Sequence, residues 1–104
     1  MTEWMDAVAA GELADGEFHI LYVADWVVAL YRIGEGYYAI EDVCTHDGGE
    51  LAGGPVEGFE VECLRHGAKF DLRDGRALCP PAYAPTRTLR TKVDAGRVWV
   101  ELPG

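Results

Sequence analysis

Apolar residues recur at alternate positions or in short unbroken runs along most of this chain, and nowhere does a helical period persist. Phe18–Val23, Trp26–Ile33 and Tyr37–Glu41 are rich in β-branched and aromatic side chains and are separated by Ala24-Asp25 and Gly34-Glu35-Gly36. Such residues suit a pleated, half-buried surface, so the three read as a meander of strands. Ala68–Leu72 and Arg76–Leu78 flank Arg73-Asp74-Gly75, where the Asp-Gly pair signals a tight hairpin. Thr86–Val93 and Val98–Leu102 flank Asp94-Ala95-Gly96 as another hairpin. The alternation of Leu89, Thr91 and Val93, and of Val98, Val100 and Leu102, gives each of its strands one mostly apolar face. Only Ala7–Leu13 is expected to form a helical turn. The pattern predicts an all-β fold, an antiparallel sandwich or barrel-like base.

Length and composition keep the fold small. A chain of 104 residues with 49% hydrophobic residues and 13 glycines has material for a single domain over 1–104 with a modest core and many turns. Three cysteines are an odd count with no regular framework, which disfavours a secreted disulfide scaffold and fits a reducing cytoplasm. The first residues, Met1-Thr2-Glu3-Trp4, lack a basic segment, and the longest apolar stretch is only Trp26 to Tyr31, so neither export signal nor membrane anchor is expected. A net charge of −9 leaves no basic stripe for nucleic acid. The charge is uneven: residues 1–62 carry −13 and residues 63–104 carry +4. Glu41, Asp42, Asp47 and Glu50 surround one candidate loop, while Arg65 and Lys69 accompany a second, an asymmetry able to orient a redox partner or simply to solvate the surface.

Those loops carry the chemistry. Cys44 and His46 form Cys-Thr-His, Cys63 and His66 form Cys-Leu-Arg-His, and sixteen residues separate His46 from Cys63. Two short Cys/His pairs can hold a two-iron, two-sulfide cluster, with two thiolates on one iron and two imidazoles on the other. Two ferric ions and two sulfides bring a charge of about +2, which two thiolates cancel, whereas four thiolates would leave about −2. The more neutral cluster accepts an electron more readily. Two Cys and two His also make structural zinc sites, but zinc fingers usually run Cys-Cys before His-His, and here the order alternates.

The wider segments, Cys44-Thr-His-Asp-Gly-Gly-Glu-Leu51 and Cys63-Leu-Arg-His-Gly-Ala-Lys-Phe-Asp71, with the later Pro80-Pro81-Ala82, resemble the Rieske family. The likeness is to the small soluble ferredoxins that feed bacterial aromatic-ring oxygenases, and it covers nearly the whole chain. It implies a Rieske-type [2Fe-2S] cluster held by Cys44, His46, Cys63 and His66, in a small subdomain of about residues 43–82 inserted in the β base. It also implies that Pro80 and Pro81 cover the cluster. High-potential members of the family carry cysteines at the positions of Gly49 and Arg65, joined as a disulfide, and a serine and a tyrosine at those of Ala68 and Phe70. Here that bridge and those two hydroxyl donors are absent. Hydrogen bonds to sulfur favour the reduced state, so the potential is expected near the bottom of the roughly −150 to +300 mV span of such centres.

The resulting function is a soluble one-electron carrier, not an enzyme, passing electrons from a reductase to an acceptor such as a ring-hydroxylating oxygenase. The expected partners are redox proteins, with no nucleic acid and no membrane, and the expected state is a monomer. A catalytic oxygenase would need a second iron held by two histidines and a carboxylate, and only His19 remains. A small subunit of a nitrite-reductase-like enzyme, a redox sensor and an accessory protein for cluster assembly stay open.

Around the cluster, Gly48, Gly49 and Gly67 are expected to let backbone N–H groups approach sulfur or to serve as ordinary turn glycines, and Thr45 to donate a hydroxyl bond or merely fit the turn. Cys79 reads as a buried free thiol and His19 as a surface or satisfied histidine. Trp4, Trp26 and Trp99 read as core or strand-face aromatics, and Leu64 and Arg65 as exposed docking residues, with packing under the cluster an equal alternative for Leu64.

Overall fold

The computed structural model describes residues 3–23, 25–45, 48–64 and 67–102. Among them every regular element is a strand: β1 (Glu3–Ala9), β2 (Phe18–Val23), β3 (Trp26–Ile33), β4 (Gly36–Glu41), β5 (Val56–Glu57), β6 (Glu60–Glu62), β7 (Lys69–Asp71), β8 (Ala77–Cys79), β9 (Thr88–Leu89), β10 (Thr91–Asp94) and β11 (Arg97–Leu102). All pairings are antiparallel, in three sheets ordered β1-β11-β10, β2-β3-β4-β9 and β5-β6-β7-β8. No helix among the described residues is long and apolar enough to cross a membrane.

The middle sheet is buried on both faces, which explains the unbroken apolar run of β3. Val28 and Leu30 pack with Val8, Leu21, Val98 and Val100 on one side. Ala29 and Tyr31 point the other way, into a core shared with Ile40, Cys44, Leu51, Cys63, Phe70 and Leu72. The first core joins the two base sheets, and the second seats the sheet β5-β6-β7-β8 on that base.

Four local expectations change. Ala7–Leu13 forms no helical turn: β1 continues through Ala9, with Val8 opposite Val98, because pairing with β11 buries Val8 and outweighs a weak local helical preference. The Asp-Gly hairpin is wider than a two-residue turn. The Asp71 N–H donates to the Arg76 carbonyl at 2.9 Å and Gly75 turns with φ +77°, so Leu72 lies in the loop and is buried there. The single strand foreseen over Thr86–Val93 breaks at Arg90: Leu89 pairs with Ala39 of β4, whereas Thr91 pairs with Val100 of β11. The chain thereby passes from one sheet to the next, and Val93 faces solvent. β5 and β6 were not foreseen, because only Val56, Phe59 and Val61 interrupt their glutamates. The tryptophans are half-buried on strand faces, as expected; Trp26 lies under the Arg87 guanidinium and Trp4 under Lys92.

Two features fix the third sheet. Asp71 is buried and binds Arg73 in fork geometry, Nε to Oδ1 at 3.0 Å and Nη2 to Oδ2 at 2.8 Å, while the Arg73 backbone N–H also donates to Oδ1. The same guanidinium lies 4.5 Å over the Phe59 ring, which meets Tyr38 of the base edge-on. At Gly54, an added Cβ would overlap the Glu62 carbonyl oxygen. The chain leaving the Cys44 loop thus runs against the strand leading to Cys63 with no room for a side chain.

The Arg73 hydrogen bond, with the nearby Arg73 and Arg76 charges, holds the Asp71 carboxyl below its ordinary value of 3.8 despite burial. A depressed carboxylate contributes stability above its unfolded value and loses it as pH falls through the folded one. Asp71→Asn is therefore expected to lower stability by about 1 kcal/mol at pH 7, with the gap from the parent closing below pH 3.8, as read by denaturant titration across pH. Gly54→Ala is expected to cost about 1–3 kcal/mol in the same measurement, because the Glu62 backbone must move to admit the methyl group.

Candidate metal centre

Both cysteines sit in loops with the same backbone pattern. The Cys44 N–H donates to the Gly49 carbonyl and the Gly48 N–H donates back to the Cys44 carbonyl, each at 2.7 Å. In the second loop the Cys63 N–H donates to Ala68 O at 2.7 Å and the Gly67 N–H to Cys63 O at 3.0 Å. In each case residue one donates to residue six and residue five donates back to residue one. Gly48 and Gly67 occupy equivalent places with φ +76° in both. An added Cβ at either would meet no described protein atom within 4 Å, and both glycines supply a left-handed backbone that closes the loop.

The two loops converge. Cys44 and Cys63 have no solvent exposure and share one buried cluster with Ala68, Phe70, Leu51 and Ala82. His46 and His66, together with Asp47 and Arg65, lie outside the described residues. By sequence, each histidine falls inside the span closed by its cysteine's hydrogen bonds. Among the described residues no group of three or more His, Cys, Asp and Glu side chains converges elsewhere. His19 is exposed on β2.

A strap formed by residues 79–86 crosses both loops. The Thr45 hydroxyl donates to the Ala84 carbonyl at 2.6 Å, so Thr45 binds across to another segment and does more than fit its own turn. At the other end the Cys79 thiol donates to the Gly67 carbonyl at 3.5 Å; Cys79 is half-buried, not fully buried, because it ends β8 at the rim of the second loop. Between them the Pro80–Pro81 bond is cis, Ala82 is buried in the shared core, and Tyr83 projects outward with 83% of its surface exposed. The strap is anchored to the base where the Thr86 hydroxyl donates to Glu41 O at 3.1 Å.

Asp42 has a role its charge did not reveal. It is buried, and its Oδ1 accepts from the Leu51 and Ala52 N–H groups at 2.8 Å each, pinning the far end of the first loop to the end of β4. The four carboxylates expected around this loop therefore divide: Asp42 is internal, Glu41 is half-buried, Glu50 is exposed, and Asp47 is not described. The signal available in sequence was an aspartate two residues before Cys44, between a strand and a loop, a position that favours bonds to nearby backbone N–H groups. Leu64, within the second loop's span, is 67% exposed.

Two fully buried thiols presented by matching loops, each span holding one histidine in the sequence, form a donor set suited to a cluster with two thiolate and two imidazole ligands. Low exposure of the cysteines also suits a centre whose sulfur must be shielded from water.

Comparisons with known proteins agree with this arrangement. The model of the Rieske [2Fe-2S] domain matches residues 3–91. The ferredoxin component of a naphthalene 1,2-dioxygenase system from Pseudomonas aeruginosa is 38% identical over 103 residues, covering 98% of this chain and 99% of the relative. Among solved structures, a complex of reduced oxygenase and oxidised ferredoxin in carbazole 1,9a-dioxygenase superposes with a TM-score of 0.89 at 31% identity, covering 93% of this chain and 91% of the matched one. The ferredoxin of carbazole 1,9a-dioxygenase from Nocardioides aromaticivorans IC177 gives 0.88 at 27% identity, with 93% and 95% covered. With loops, strap and base all accounted for by one pattern, this chain belongs to the Rieske [2Fe-2S] domain family.

Proposed function

We propose that the protein is a cytoplasmic one-electron carrier that takes electrons from a reductase and delivers them to a ring-hydroxylating oxygenase, acting as a single domain over residues 1–104. Cys44 and Cys63 bind one iron of a Rieske-type cluster and His46 and His66 the other, with residues 43–82 as the cluster-binding part. The observation that carries this reading is the matched pair of loops that present two fully buried cysteines from equivalent positions. The naphthalene and carbazole relatives, named as ferredoxins of dioxygenase systems, support the choice of acceptor.

The cluster, when bound, supplies one-electron chemistry, with the added electron favoured on the imidazole-bound iron. The chain's own residues do the rest. The buried cysteines hold their side of the centre away from water, and the Thr45 bond to Ala84 holds the strap over it. At positions 68 and 70 stand an alanine and a phenylalanine, which donate no side-chain hydrogen bond to sulfur and leave the reduced state less stabilised. Leu64 and Tyr83, one from the second loop and one from the strap, supply exposed apolar surface for a partner.

The carrier reading is tested by reconstitution. Mixed with a reductase of the dioxygenase type and its oxygenase, the protein is expected to restore substrate hydroxylation. A protein that exchanges no electrons with either and instead supports nitrite reduction would favour the small-subunit alternative. Purified protein is expected to hold two irons and two acid-labile sulfides per chain. Cys63→Ser should lose them and Cys79→Ser should keep them, by metal and sulfide analysis; stoichiometric zinc without sulfide would refute the ligand assignment. The Leu64→Ala, Tyr83→Ala pair is expected to raise the KM for the oxygenase by about tenfold, with iron content and midpoint potential unchanged.

A further inference from the structure

Among the described residues the three sheets end in six edge strands, and five of these are blunted. β5 and β9 are two residues long and β8 three, β1 carries Glu3, Asp6 and a register shift between Asp6 and Val8, and β10 carries Lys92 and Asp94. Short length, charge and irregular register are the devices that keep an edge from pairing with another chain. β2 has none of them. It runs six residues, Phe18–Val23, with no charged residue, no proline and an unshifted register on β3, its one partner among the described strands. The Arg32 N–H donates to the Glu17 carbonyl at 3.0 Å, so bonding to β3 alternates through Glu17, His19, Leu21 and Val23. Phe18, Ile20 and Tyr22 therefore turn their N–H and C=O groups outward, where no described group meets them.

The side chains beside those groups are apolar as well. Phe18 meets the Tyr31 ring at 5.5 Å between centroids, Ile20 packs partly on the core that holds Cys44 and Cys63, and Tyr22 is 77% exposed. Both ends of the strand carry carboxylates: Asp15 and Glu17 before it and Asp25 after it are exposed, and none forms an ion pair among the described residues. A second copy of this chain suits the edge poorly. Pairing β2 with itself about a twofold axis, Ile20 opposite Ile20, sets the Asp15 and Glu17 end of each strand against Asp25 of the other, between two chains of net charge −9. An extended segment with apolar residues at alternate positions and lysine or arginine at its ends fits both features. The edge also reaches the cluster side of the molecule. Tyr22 pairs with Val27, whose carbonyl accepts from the Asp42 N–H at 2.8 Å, so two strand spacings, about 10 Å, separate Tyr22 from the start of the first cysteine loop. We infer that the acceptor oxygenase seats such a segment on β2 as an added strand, beside its contact with Leu64 and Tyr83.

The inference rests on the carrier reading, and amide exchange in the cluster-loaded protein separates the two. With the oxygenase of the reconstitution in saturating amount, the Phe18, Ile20 and Tyr22 amides are expected to exchange with deuterium about tenfold or more slower than in the free protein. The His19 and Leu21 amides, already bonded to β3, should change far less, so that protection alternates along the strand. An oxygenase that accepts electrons while those three amides stay unprotected would overturn the inference and leave the carrier reading intact. No binding and no electron transfer would overturn both. Protection of the same amides by the reductase alone, or in concentrated protein that sediments as a dimer without oxygenase, would assign the edge to another occupant and overturn it too. Tyr22→Lys keeps the backbone and sets a positive charge on the edge. It is expected to raise the KM for the oxygenase about tenfold, with iron content, midpoint potential and melting temperature unchanged. An unchanged KM in that variant would contradict strand addition.

Discussion

Four donors from two separate loops can meet at one centre only if those loops are held at a fixed spacing, and in this chain no covalent bond holds them. Residues 49 and 65, where high-potential members of the family place their linking cysteines, are glycine and arginine. The spacing rests instead on packing and hydrogen bonds: two loops closed by the same exchange of backbone bonds, a glycine at 54 that lets the segments beyond them touch, and a strap bonded to one loop by a hydroxyl and to the other by a thiol. Each bond contributes on the order of 1 kcal/mol. They act together because both cysteines and Ala82 of the strap share one buried core.

That core explains why the base sheet takes the form it does. β3 and β4 must be apolar on both faces, one for the other base sheet and one for the loop-bearing part of the chain. Asp42, at the end of β4, lets the first loop start from this rigid floor by capturing two backbone N–H groups that would otherwise be buried without partners. The seam on the far side is closed by Phe59, between Tyr38 of the base and the Arg73 guanidinium, with Asp71 fixing the arginine. The loops are thus braced from below on two sides, while Leu64 and Tyr83 stay free for contact.

Much of this was legible in the sequence, for identifiable reasons. The meander β2-β3-β4 and the β10-β11 hairpin announced themselves through β-branched and aromatic runs bounded by glycine or aspartate, and the Cys/His pairs named the chemistry. Features that depend on distant partners were not legible. The break at Arg90 is invisible locally, because the alternation through Leu89, Thr91 and Val93 continues while the pairing partner changes. Ala7–Leu13 was read as a helical turn because the alanines that end β1 carry no strand signal without β11 beside them. Asp42 counted as surface charge until its two amide partners, nine and ten residues on, made it an internal brace. Gly48 and Gly67 stand where each loop needs a left-handed backbone, which fits their reading as turn glycines.

The central claim is that this chain builds an asymmetric centre, with thiolates on one iron and imidazoles on the other. Mössbauer spectroscopy of iron-57-enriched protein tests it most directly. The account predicts two inequivalent iron sites in equal amounts in the oxidised protein, and on one-electron reduction a ferrous signal confined to the site with nitrogen ligands. Two equivalent sites with all-sulfur parameters, or a protein that retains no iron, would contradict it.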